Sequence, residues 1–295
     1  MDDWRREPRT WGAIAVALLL WASAFAGIRA GLRDFGPGQV ALLRFGTASV
    51  ALAVYALAKR MRVPDRRDLP AIALAGFLGI SVYHVALNYG EQTVTAGAAA
   101  LLISTSPVFT ALLSTRFLGE RLTAWGWAGV LIAFLGAALI AFGEGGGFAF
   151  NTDAILILVA AIATSLYFIV SKPQLRRYRA IEYTTYAIWA GTIPLLLFLP
   201  GLVQQFPQAQ TSSIAAVIYM GIFPGAIAYV LWSHALSRMP ASVLSTFLYF
   251  QPVNATIIAW IWLKEVPSTL SLVGGAVSLS GVVVVNTMGA ERDSD

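Results

Sequence analysis

The chain has 295 residues, of which 58% are apolar or aromatic and 12% charged, against about 25% charge in a soluble domain. That balance excludes an ordinary soluble domain, and the absence of cysteine excludes disulfides, thiolate metal sites and cysteine nucleophiles. The net charge of +5 is no nucleic-acid signal, because the basic residues gather in short loops beside apolar segments, where orientation in a bilayer accounts for them.

A helix crossing about 30 Å of hydrocarbon uses about 20 apolar residues, and the chain offers ten such stretches. The first five cover 11–30, 39–58, 69–89, 96–117 and 125–142. A Gly-rich link, 143–147, precedes the others at 153–171, 183–199, 212–236, 241–263 and 269–288. The seventh is interrupted by Pro194 and Pro200, which membrane helices tolerate when neighbours satisfy the freed carbonyls. The first resembles a cleavable signal, with arginines before it and Ala22-Ser23-Ala24 near its end. It is read as a retained span, because Phe25 and Arg29 match Phe168 and Lys172 at one offset.

Downstream, adding 145 to a position in the first half repeatedly lands on the same residue: Ala71/Ala216, Gly76/Gly221, Ala96/Ala241, Pro107/Pro252, Glu120/Glu265, Gly129/Gly274 and Gly136/Gly281. The expected fold is therefore an all-α membrane protein of ten transmembrane helices, made of two five-span repeats at 1–147 and 148–295. Five is odd, so the second copy enters the membrane inverted. With the N-terminus inside, sixteen of the 20 Lys and Arg fall on the cytoplasmic side and only Arg29, Arg33 and Lys264 outside, with Arg44 left within the second span. Both termini are thus expected in the cytoplasm.

The chain resembles the drug/metabolite transporter superfamily, specifically its EamA-type ten-span exporters. The residues that carry the likeness are Leu20-Trp21-Ala22-Ser23-Ala24-Phe25, Leu43-Arg44-Phe45, Gly119-Glu120-Arg121-Leu122-Thr123 and Lys264-Glu265-Val266-Pro267-Ser268. The resemblance implies a central cavity, alternating access and a bacterial inner-membrane location. Length and aromatic content look most like bacterial aromatic amino-acid exporters of the YddG type. The alternative is an exporter of other small neutral metabolites or drugs.

In an inverted repeat the solute site lies near the midplane where the halves meet. On the third span Ser81, His84 and Asn88 form a stripe whose repeat mates are Ala226, Tyr229 and Ser233. On the fourth and ninth, Ser106-Pro107 faces Gln251-Pro252, each proline freeing a carbonyl, of Ile103 or Leu248, beside Ser104, Tyr249 and Asn254. Trp21, Phe25, Tyr167 and Phe168 add aromatic walls. The expected solute-binding residues are His84, Asn88, Ser106, Tyr229, Ser233, Tyr249, Gln251, Trp21, Phe25 and Tyr167. Gly129, Ala133 and Gly136 in the fifth span and Gly274, Ser278 and Gly281 in the tenth read as a packing seam. Glu120 and Glu265 read as caps of those two helices.

No Asp or Glu lies well inside a span, which argues against a proton-coupled exchanger of cations. No Lys or Arg lies mid-span in the third, fourth, eighth or ninth, which argues against a strongly anionic solute. Only two histidines, no His-Glu-x-x-His and no intramembrane aspartate pair point away from an enzyme. No metal or cofactor is expected. The partners expected are a small solute and the bilayer, without nucleic acid, and one chain holding both halves can work as a monomer.

Overall fold

The computed structural model describes residues 8–117, 123–144, 151–238, 244 and 247–288. Among these every regular element is helical. Six helices are long and apolar enough to cross a membrane: Pro8–Gly31, Pro37–Lys59, Arg66–Gly90, Asp153–Gln174, Ala180–Gln208 and Thr211–Arg238. The remaining spans are shorter or broken: Ala96–Ile103 with Ser106–Phe117, Ala124–Gly143, Phe247–Phe250 with Gln251–Leu263, and Thr269–Met288. Large apolar side chains such as Val50, Leu131, Leu197 and Trp260 lie exposed along them, as a lipid-facing surface requires.

The seventh span runs further than the sequence pattern implied. Its helix keeps Pro194 inside, tightens into a 3₁₀ turn at Leu196–Phe198, and restarts at Leu199 with Pro200 in its first turn, where a missing N–H costs nothing.

The inverted relation of the halves is visible where the fifth and tenth spans cross. Thr123 Oγ1 donates to the Met288 carbonyl at 2.6 Å. Further along, Gly281 lies against Gly129 and Ala133, Gly136 against Gly274 and Ser278, and Gly143 against Ser271. Numbers rise on one helix as they fall on the other, so the two mates run antiparallel. The small-residue stripe is the seam expected: a methyl on Gly136 would sit 2.3 Å from the Ser278 nitrogen.

The caps differ from expectation. Thr123 Oγ1 accepts from Gly126 N at 3.1 Å and Ser268 Oγ from Ser271 N at 3.0 Å, so mated hydroxyls satisfy the first turns of the fifth and tenth helices. Glu265 is instead paired with Arg29. Glu120 lies outside the described residues.

Two irregularities also repeat. The third and eighth spans each contain a π-helical segment, Phe77–Val82 and Gly221–Ile227, at mated positions. The wider turn resets the register of side chains beyond it, a device common beside functional sites. The fourth and ninth spans each break and restart at Ser106 and Gln251, with proline in the first turn.

Candidate functional site

Between the first, second, third, fourth, sixth, eighth and ninth spans lies a narrow cavity of about 40 Å³, enough for about three waters. Trp21, Phe25, His84, Tyr167, Tyr229 and Gln251 of the expected residues line it. The walls are rich in aromatic rings: Trp21 stands 5.3 Å from Tyr229, with Trp232 packed 4.9 Å behind it, and Tyr167 stands 6.2 Å from Tyr229.

The other expected residues are placed at helix contacts. Asn88 Nδ2 donates to the Pro37 carbonyl at 2.9 Å, and Thr184 Oγ1 donates to Ser233 Oγ at 2.8 Å. Ser106 Oγ turns back to the Ile103 carbonyl at 2.5 Å. Ser104 Oγ reaches the Leu248 carbonyl at 3.4 Å. The Ile103 carbonyl freed by Pro107 is therefore taken by a serine hydroxyl, whereas the single proton of Ser104 has its shorter bond to the Ala100 carbonyl at 2.9 Å and leaves the Leu248 carbonyl only a long approach. Tyr249 belongs to the turn Phe247–Phe250, but its side chain lies outside the described residues.

The stripe on the third span fans out instead of facing one way. Ser81 donates to the Gly191 carbonyl at 2.6 Å, whereas His84 Nε2 meets the Tyr229 hydroxyl at 2.9 Å. Ser81 sits in the π-helical segment, so its direction departs from a regular 3.6-residue stripe.

Among the wall residues that the sequence pattern did not assign to the site, one is charged. Arg44, 2% exposed, lines the cavity, and its Nη1 approaches His84 Nδ1 at 3.4 Å. Arg44 belongs to the second span, outside the four spans whose lack of Lys and Arg spoke against an anionic solute. The second span packs against the third, and this packing turns the guanidinium inward. Its burial within an otherwise apolar span was the signal available.

Hydrogen-bond roles follow from these contacts. Arginine only donates, so His84 Nδ1 accepts and Nε2 carries the proton, donating to Tyr229, whose hydroxyl donates to the Gly79 carbonyl at 3.1 Å. A second proton on this imidazole would point an N–H at the guanidinium.

Ties between the halves close both ends of the molecule. At one, Arg29 pairs with Glu265 at 2.9 Å and donates to the Glu91 and Gln92 carbonyls at 2.6 and 3.1 Å. At the other, Lys172, the mate of Arg29, donates within the second half to the carbonyl of Leu236, the mate of Glu91. Arg177 there pairs with Asp68 and with Asp65, and Tyr178 donates to Asp68 at 2.5 Å.

A helical membrane protein with inverted halves, a cavity lined from both of them and ties between them at opposite ends is a membrane transporter in form. The EamA-like transporter family matches residues 10–142 and 152–287, and the chain belongs to it. It is 43% identical over 96% of its length to the "Probable terminal-alkyne amino-acid exporter" of Streptantibioticus cattleyicolor, covering 95% of that protein. It is 45% identical over 89% of its length to the uncharacterized transporter YdfC of Bacillus subtilis, covering 86% of it. A solved crystal structure superposes with a TM-score of 0.67 at 20% identity, covering 94% of this chain and 96% of that one, a likeness of fold.

Proposed function

We propose that this transporter exports amino acids, with aromatic or other bulky neutral ones favoured, by alternating access between the repeats 1–147 and 148–295, in a bacterial inner membrane with both termini cytoplasmic. The observation that carries the reading is the cavity wall: aromatic and aliphatic side chains around a few polar groups, foremost the chain Arg44 to His84 to Tyr229. Such a wall suits a solute with an apolar body and a polar end. The name of the Streptantibioticus relative agrees in substrate class. The contacts between the halves, Arg29 to Glu265 at one end and Arg177 and Tyr178 to Asp68 at the other, support a closure at each end.

The test is a competition uptake panel in vesicles containing only the purified protein, with His84→Ala, Tyr229→Phe and the double variant. Neutral bulky amino acids compete best. A hydrogen bond is worth about 1 kcal/mol, so each single variant weakens apparent affinity several-fold. Because the two groups share one bond, the double variant is less impaired than the product of the singles. Competition by neutral non-amino-acid solutes alone would replace the substrate class.

The orientation has its own check. The natural chain has no cysteine, so single cysteines at Arg67 and Arg177 report directly. Both stay shielded from an impermeant external reagent in intact cells, while one at Gly145, outside the described residues, reacts. External labelling at Arg67 or Arg177 reverses the topology.

A further inference from the structure

Arg44 lies in the cavity wall with no carboxylate in contact, the buried Glu91 at the end of the third span acting on it only from a distance. Among the described residues no carboxylate forms an ion pair with it, and no Asp or Glu lines the cavity. Its side-chain contacts are the long approach to His84 and a position over the Phe45 ring, whose centroid lies 5.3 Å from Cζ. Nε is buried and has no hydrogen-bond partner. A guanidinium held out of water with an open edge is among the costliest arrangements a membrane protein can carry. A carboxylate across that edge repays it, since the fork of N–H groups matches two carboxylate oxygens.

A second unpartnered group lines the same cavity. Gln251, 2% exposed, has its Oε1 buried without a partner, and an amide oxygen accepts from an ammonium. It comes from the second half of the chain, whereas Arg44 comes from the first.

We propose that Arg44 and Gln251 form a head-group site for an α-amino acid, Arg44 taking the carboxylate and Gln251 Oε1 the ammonium. This rests on the transport reading above and narrows it: the carboxylate is required, and an amine with the same side chain is not a substrate. The His84–Tyr229 pair fixes the guanidinium from behind through Nη1 and leaves the Nε edge to the solute. Because the two anchors belong to different halves, a bound head group bridges them, and this coupling lets the solute bias the closure of one half on the other.

The test uses purified full-length protein and matched probes: phenylalanine, phenylalaninamide, 2-phenylethylamine and 3-phenylpropionate. Two readouts are taken, protection against heat unfolding and inhibition of labelled phenylalanine uptake into vesicles. Phenylalanine protects and inhibits best, and 3-phenylpropionate is weaker but active. The amide and the amine are weaker than phenylalanine by about tenfold or more, the scale of a charged hydrogen bond. Arg44→Gln abolishes the preference for acid over amide, Arg44→Lys keeps part of it, and Gln251→Leu narrows the gap between phenylalanine and 3-phenylpropionate.

The acid-to-amide comparison on the wild-type protein needs no variant, so misfolding of Arg44→Gln leaves the proposal exposed. Equal effects of acid and amide, or an unchanged acid preference in a folded Arg44→Gln, overturn it while uptake can persist. Acid-selective protection without uptake keeps the head-group site and removes the transport reading. Neither protection nor uptake overturns both.

Discussion

Replacing Gly136 by leucine abolishes folded protein. A Cβ at this position falls 2.3 Å from the Ser278 nitrogen, 2.5 Å from its Cα and 2.6 Å from the Gly274 carbonyl oxygen. All three are backbone atoms, so no rotamer change relieves the clash, and the fifth and tenth spans must separate. Overpacking a core costs about 1–3 kcal/mol even when flexible side chains share the strain, and total stability is about 5–15 kcal/mol. Gly281→Leu, against the Ala133 nitrogen at 2.4 Å, does the same from the other side of the seam. Gly46→Ala is the control, since nothing lies within 4 Å of its Cβ. Monodisperse protein after detergent extraction, measured by size-exclusion, falls to background for both leucine variants and holds at the wild-type level for Gly46→Ala.

Arg29→Glu stops transport without removing the protein from the membrane. The arginine joins the end of the first span to Glu265 between the ninth and tenth and to two carbonyls at the end of the third. Reversing its sign sets a carboxylate beside Glu265. It also adds negative charge near Glu91, whose two carboxylate oxygens are buried without hydrogen-bond partners. The ion pair is one-quarter exposed on each side, so solvent discounts its attraction. Like charges forced together across a closure still cost enough to shift its equilibrium by about tenfold or more. Surface-corrected flux therefore drops by at least about tenfold, and adding Glu265→Arg restores a substantial part. Full flux in Arg29→Glu, or no recovery in the double variant, shows that this tie takes no part in closing.

The spans and the seam were legible in the sequence because both rest on repetition: an apolar run of membrane length recurs ten times, and Gly136 and Gly274 occupy mated positions. Half the cavity was legible for the same reason, since His84 and Tyr229 are mates and meet at 2.9 Å. Arg44 was not, because its inward direction depends on how the second span crosses the third. Asn88 and Ser233 were read as lining because polarity in a span marks a protected face, and polarity alone does not distinguish a cavity from a neighbouring helix. The role of Ser106 hinged on a local bond: its hydroxyl closes the gap that its own proline neighbour opens.

Counterflow tests the transport account most directly. Vesicles holding only the purified protein are loaded with unlabelled phenylalanine, and labelled phenylalanine is added outside, with pH equal on both sides and an uncoupler present. The cavity has no carboxylate in its wall, and His84 Nδ1 faces the guanidinium, so exchange needs no proton gradient. The account predicts a transient accumulation of label above equilibrium in loaded vesicles and none in empty ones. Uptake equal to that of protein-free vesicles, or label entry unaffected by loading, contradicts it.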